Sequence, residues 1–287
     1  MISRVVWTKY FLLKQRVFVL CGGRRSFLSG WFLIFFGANL LMGCGAPRFK
    51  DSMTGGTGGD GSTSLSIQIP PGTEEGDLLI AILGIKSNPN TVGPSGWSSV
   101  PGFGGFNGTN CLATAGGYAC QLSVFYKISN GSETDANFSW GGNFQASAAV
   151  LSYSNVNASS PIGAASSRRG ASVTPTAPMI RTIQESSRVL RIALSEANDA
   201  MMFLNGNLVF GDEPGSLRFN IVSFPDASTD PATGCGPPLS SCSFIQGAVA
   251  LAASDAPRST AGPSGTADWT LPAGDQWVTA SIEITKP

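Results

Sequence analysis

Residues 65–287 predict an all-β fold, a single β-sandwich or jelly-roll domain of about eleven or twelve strands. Three observations lead there. Apolar and polar residues alternate with period two along several stretches, the spacing of a strand rather than a helix. Turn-forming residues punctuate those stretches, in a chain holding 36 Gly and 18 Pro. Helical periodicity is weak everywhere, and even 185–200, the best helical segment by composition, contains the strand-like RVLRIAL.

Taken in order, Leu65, Ile67 and Ile69 alternate with Ser66 and Gln68, so the first strand buries one face and wets the other. The unbroken apolar runs 78–83 and 146–151 predict central strands. Leu122, Val124, Tyr126 and Ile128 alternate through QLSVFYKI. Further strands are expected at 137–140, 189–194, 201–204, 217–224, 244–252 and 267–271. At the end, Val278, Ala280, Ile282 and Ile284 alternate with Thr279, Ser281 and Glu283, which are expected on a solvated face. Arg168-Arg169 is expected in a solvated loop.

Upstream, residues 45–64 read GAPRFKDSMTGGTGGDGSTS. This composition predicts a flexible tether, whose twenty residues would span about 25 Å as a coil. Ahead of it lies the apolar run 31–42, too short to cross a hydrocarbon core of about 30 Å as a stable helix. Arg24-Arg25 precedes that run, and Leu41-Met42-Gly43-Cys44 closes it. The layout resembles the signal of bacterial lipoprotein precursors, with Met42 where a small residue is more usual. The resemblance implies a signal segment at 1–43, a diacylglycerol on the thiol of Cys44, and a mature amino terminus at that cysteine. It also implies a location in the bacterial cell envelope. Gly45 in place of an aspartate points to an outer-membrane or cell-surface lipoprotein. Arg24-Arg25-Ser26-Phe27-Leu28 also resembles a twin-arginine export motif, although Gly23 stands where a polar residue is usual. Met1 to Gly23 is long for the charged part of a signal, as an upstream start codon would make it.

Charge divides at the same point. Six of the 18 basic residues and none of the 18 acids lie in 1–43, so the remainder carries 12 basic residues against 18 acids. No basic stripe is present to displace counterions from a phosphate backbone, so nucleic-acid binding is not expected. Besides Cys21 and Cys44, four cysteines form two close pairs, Cys111 with Cys120 and Cys235 with Cys242. Local disulfides are expected, because both pairs lie in turn-rich stretches and export favours oxidation. A zinc site is disfavoured, since neither pair has C-x-x-C spacing and the chain has no histidine.

The lack of histidine also removes Ser-His-Asp and Cys-His mechanisms. Carboxylate pairs remain the route to a glycan hydrolase or lyase, and the candidates are Glu74-Glu75-Asp77, Glu133 with Asp135, Glu196 with Asp199, and Asp212-Glu213. All fall in turns or between strands, where acids are ordinarily solvated. Glu74-Glu75-Asp77, and Asp199 with Asp212-Glu213, offer the hard oxygens calcium takes, without the D-x-D-x-D-G spacing of a calcium loop. No cofactor is otherwise expected. Trp97, Phe103, Phe106 and Tyr118 cluster in Gly-rich segments and are the candidate ligand-binding residues, because flat aromatic faces on loops stack on sugar rings. The loop 93–117, closed by Cys111 and Cys120, is their setting. Trp140, Trp269 and Trp277 are expected in the core.

The succession IPPGTEEGDLLIAIL, Trp97 in a Gly-rich loop, SVFYKISNGSETDANFSW, AAVLSYSNVNASSPIG, then TPTAPMI before SSRVLRIAL, resembles a β-sandwich module. Such modules recur in phage virion and tail proteins and in bacterial secreted or surface proteins. The resemblance spans 64–284 and brings no catalytic residues with it. It implies a structural, adhesive or carbohydrate-facing role. The sequence thus predicts a lipid-anchored surface protein with a binding or structural task, with a virion or tail component of a prophage as the alternative and a carboxylate-based glycan hydrolase or lyase as the third reading. Four sequons, at Asn107, Asn130, Asn137 and Asn157, are coincidental in a bacterial protein.

Overall fold

The computed structural model describes residues 45–58, 60–101, 103, 109–114, 117–118, 120–197, 209–210, 213–223, 248–271 and 274–287. They are all-β. In chain order the strands are β1 (Arg48–Gly56), β2 (Ser62–Gln68), β3 (Leu78–Lys86), β4 (Thr91–Val92), β5 (Ser98–Ser99), β6 (Thr109–Asn110), β7 (Ala113–Thr114), β8 (Gly117–Tyr118), β9 (Cys120–Ile128), β10 (Asp135–Phe144) and β11 (Ala146–Ser154). They continue with β12 (Ile162–Ser172), β13 (Thr176–Ala177), β14 (Arg181–Thr182), β15 (Ser187–Ala197), β16 (Val209–Phe210), β17 (Glu213–Pro214), β18 (Ser216–Val222), β19 (Ala248–Arg258), β20 (Gly262–Pro263), β21 (Ala267–Asp268) and β22 (Asp275–Ile284).

Two large antiparallel sheets form the sandwich. The first has the order β1-β11-β3-β9-β5, with β6 also pairing β9, and the second runs β12-β22-β15-β19-β18. Each has a cover on its outer face. The small sheet β2-β10-β4 lies over the first, and the β13-β21 and β14-β20 pairs roof the second. Strand β3 shows how one sequence serves two layers. Leu78, Ile80 and Ile82 join the core between the large sheets, while Leu79, Ala81, Leu83 and Ile85 join the core under β2 and β10. A continuous apolar run is what such a doubly covered strand requires, and both runs read as central strands are fully buried, in β3 and β11.

A third core lies under the roof, where Trp269 and Trp277 pack on Ala193, Ala250, Ala252 and Ala256. Small residues on the sheet leave room for the two indoles, as close packing demands. Trp140, Trp269 and Trp277 are all buried. Between the large sheets the same constraint falls on Gly84, where a Cβ would stand 2.3 Å from Leu194 Cδ1. Gly84→Ala is expected to lower the unfolding free energy by about 1–3 kcal/mol through overpacking, read as a shift in urea midpoint at constant slope. Leu194→Ala in the same chain should remove that clash and leave the cost of the lost leucine.

The structure corrects the sequence reading at four places. Residues 48–56 are strand β1, paired to β11 from Arg48↔Ser154 to Gly56↔Ser147, and not a coil. Their Gly and Ser content suits an edge strand whose pairing comes from the backbone. Thr279, Ser281 and Glu283 are fully buried instead of wet, because the roof covers that face and accepts or donates their hydrogen bonds. Arg168-Arg169 is exposed, but on the edge strand β12, which was missed because IGAASSRRGAS has no apolar alternation. The strand expected over 267–271 shortens to β21. The strand expected at 201–204, and residues 1–44 with their signal segment and Cys44, lie outside the described residues.

Candidate functional site

The two ends of the sandwich differ. Register places Leu78, Ile128, Ser154, Ser187, Arg258 and Ile284 at one end, and Lys86, Cys120, Ala146, Ala197 and Ala248 at the other. At the first end the chain reverses through short turns at 69–77, 129–134, 155–161 and 259–261. At the second, the chain leaves at Lys86 and returns at Cys120, and leaves after Val222 and returns at Ala248. Both cysteine pairs fall in these long connections. Cys111 and Cys120 are joined by a disulfide, are fully buried, and have the Cys111 N–H donating to the Cys120 carbonyl at 2.8 Å. Cys235 and Cys242 lie outside the described residues.

The aromatic patch does not form as expected. Phe103 is 1% exposed and belongs to the central core with Val100, Cys111 and Cys120. The cause is the pairing of β5 and β6 with β9, together with the disulfide, which brings Val100, Phe103 and Cys111 onto the sheet. Trp97 is half-buried against the core under β2 and β10. Phe106 and the side chain of Tyr118 lie outside the described residues, and Tyr118 is placed only by its backbone in β8.

Acids at the short-turn end are taken by lysines. Lys50 Nζ donates to Asp77 Oδ2 at 2.9 Å and to Glu74 Oε2 at 3.0 Å. An ammonium thus occupies the place where these oxygens would hold calcium, and Lys50 comes from the segment expected to be a tether. Among the described residues no group of three or more Asp, Glu or Cys side chains is arranged to hold a metal ion.

Glu133 lies in the β9–β10 turn, with Lys127 Nζ at 2.7 Å, the Ser129 hydroxyl at 2.9 Å and the Asn130 N–H at 3.1 Å. Burial would raise this carboxyl, but those donors outweigh it and bring it from 4.5 to about 2. A proton donor for glycoside cleavage needs the opposite shift. Because the folded state holds Glu133 ionised, its contribution is complete above pH 4.5 and disappears as pH falls towards 2. Glu133→Gln is expected to cost about 2 kcal/mol at neutral pH after solvent screening, and to flatten the acid limb of a urea-midpoint profile. Asp135 is exposed. Glu196 is pushed up by burial and by Asp275 against the pull of Lys86, whose Nζ stands 3.9 Å away. Its expected partner Asp199 lies outside the described residues, as does Asp212, while Glu213 is placed by backbone alone.

The strongest charged constellation is internal and joins the two sheets. Asp255 of β19, fully buried, accepts from the Tyr153 hydroxyl at 2.8 Å, Arg218 Nε at 2.9 Å and Arg218 Nη2 at 2.7 Å, and it pairs with Arg188 Nη1 as well. Arg188 Nε donates to the Pro47 carbonyl at 2.9 Å. The Arg218 guanidinium lies 4.1 Å from the centroid of Phe49, which itself meets Tyr153 edge-on. Burial and the Asp255 charge push the Tyr153 phenol well above its ordinary value, so it stays a hydrogen-bond donor. Each Asp255 oxygen thus receives two donors, and the cluster clamps strands of both sheets.

A second polar layer lies between β15, β22 and the roof. Arg191 donates to the Pro178, Ser264 and Gly265 carbonyls and to the Ser264 and Ser281 hydroxyls, and burial with Arg258 lowers it to about 10. Glu283 accepts from the N–H groups of Ala164, Ile183 and Gln184 at 3.0–3.1 Å. Sequence reasoning passed over Tyr153, Arg188, Arg191, Arg218, Asp255 and Glu283. The available signal was a charged residue inside an apolar strand pattern, as in RVLRIAL and VTASIEI.

No protein-family model matches the chain, and no curated protein matches it. Among solved structures, the crystal structure of the STIV MCP aligns with 84% of this chain and 97% of that chain at 11% identity and a TM-score of 0.22. A structure of Sulfolobus Turreted Icosahedral Virus aligns over 85% and 92%, at 13% identity and a TM-score of 0.21. Likeness at these TM-scores bears on neither the function nor the assembly of this chain.

Proposed function

We propose that this chain is an exported, lipid-anchored β-sandwich that serves as a binding or structural module at the bacterial cell surface, not as a hydrolase. The observation that carries the reading is the polarity of the sandwich. Residue 45 enters at the end built of short turns, and the long connections, with their cysteine pairs, depart from the opposite end. Loops on a rigid scaffold are where recognition concentrates, and the points where these connections leave and rejoin the sheets, Lys86, Cys120 and Ala248, lie at the end remote from residue 45. The disulfide agrees with export to an oxidising compartment. Against catalysis stand, among the described residues, the carboxylates engaged by Lys50 and Lys127 and the buried Asp255 and Glu283, which bind arginines and main-chain N–H groups of the fold.

Expression of the full-length chain in a bacterial host, with intact mass spectrometry of the membrane fraction, tests the address. The expected product begins at Cys44, carries acyl mass, and is lost with Cys44→Ala. A soluble product without lipid, or one that keeps residues 1–43, would overturn the anchored reading and leave a virion or tail component as the reading to pursue.

A further inference from the structure

We infer that the sandwich sits flush on the lipid surface that holds it, with its short-turn end against the headgroups. The inference rests on the lipid-anchor reading of Cys44 and specifies which face of the domain meets the membrane. Its basis is the fixation of the residues that follow the cysteine. The Asn155 amide donates to the Gly45 carbonyl, and also to the Ala46 carbonyl at 3.0 Å. Pro47 is buried and its carbonyl accepts from Arg188 Nε. Strand pairing starts at the next residue, Arg48↔Ser154. Asn155 holds φ at 58°, a left-handed value that asparagine tolerates better than most residues, and this turns its amide back towards the entering chain.

No slack therefore lies between the acylated residue and the fold. One residue spans at most ~3.6 Å, against the ~25 Å expected of a twenty-residue coil. The same end carries the turns 69–77, 129–134 and 155–161 and the strand terminus at Ile284, so these would approach the headgroups together. This end exposes Glu74, Glu75 and Glu185 together with Arg48, and Lys50 and Lys286 pair with two of the acids, so no single-sign patch seats the domain on anionic lipid. The covalent anchor does. The strand ends Lys86, Cys120 and Ala248 then stand a full strand length above the surface.

The acylated full-length protein, purified from bacterial membranes and reconstituted in a supported phosphatidylcholine bilayer, can be compared by neutron reflectometry with a variant carrying twenty Gly/Ser residues inserted between Cys44 and Gly45. The expected result is a water layer under the wild-type domain thinner than about 5 Å, opening to about 25 Å in the insertion variant. An acylated wild-type protein with a gap as wide as that of the insertion variant would overturn the seating and leave the anchor reading intact. Intact mass without acylation at Cys44 would overturn both.

Discussion

Asp255→Ala is expected to lower the unfolding free energy by about 3–5 kcal/mol, the cost of removing one partner from a buried ion cluster. Asp255 is fully buried, and its loss would leave Arg188, Arg218 and the Tyr153 hydroxyl facing a cavity with their charges and donors uncompensated. The effect should cross the sandwich, because Tyr153 belongs to β11 of the first sheet and Asp255 to β19 of the second. Hydrogen exchange is therefore expected to accelerate in β1 and β11 as well as in β18 and β19. Tyr153→Phe should cost only about 1 kcal/mol, one hydrogen bond with the ring packing kept. Replacing Asp255, Arg188 and Arg218 together by leucine should cost less than Asp255→Ala alone, since no unpaired charge remains. A urea-midpoint shift for Asp255→Ala equivalent to less than about 1 kcal/mol would show that the cluster does not clamp the sheets.

Glu283→Ala is expected to cost on the order of 4 kcal/mol, because three main-chain donors depend on this one carboxylate. The side chain is fully buried and ties the start of β12 and the segment after β14 to β22. Its loss should free the amides of Ala164, Ile183 and Gln184 to exchange while the amides of β3 and β9 remain protected. Glu283→Gln should fall between wild type and alanine, since it keeps one acceptor oxygen but turns an amide NH2 towards donors. Gly163→Ala offers an independent test of the same contact, for its Cβ would lie 2.4 Å from Glu283 Oε2. Equal exchange at the three amides in wild type and Glu283→Ala would refute the arrangement.

Both sites illustrate which parts of this molecule were readable. Period-two patterns located strands well, because alternation follows from the pleat whatever the neighbours are. They misjudged what covered each face. Thr279, Ser281 and Glu283 looked solvent-facing because polar residues usually are, and only the roof formed by 173–182 and 262–271 turned that face inward. The same limit affected Phe103. Its Gly-rich setting suggested a displayed ring, whereas pairing of β5 and β6 on β9 made it core. Strand β1 was hidden by composition, since its Gly, Ser and Thr residues rely on pairing with β11 and not on their own propensity.

Sequence alone determined the all-β class, the central strands, the core tryptophans and the local pairing of Cys111 with Cys120, because each follows from residues close together in the chain and from a period fixed by backbone geometry. Tertiary structure decided the four layers, the clamp of Gly45–Pro47 by Asn155 and Arg188, and the joining of Tyr153, Arg188, Arg218 and Asp255. Bonded partners among those residues are separated by up to 141 positions in the chain. Their meeting depends on strand order and register, and so does the burial that lets a few charges hold two sheets together.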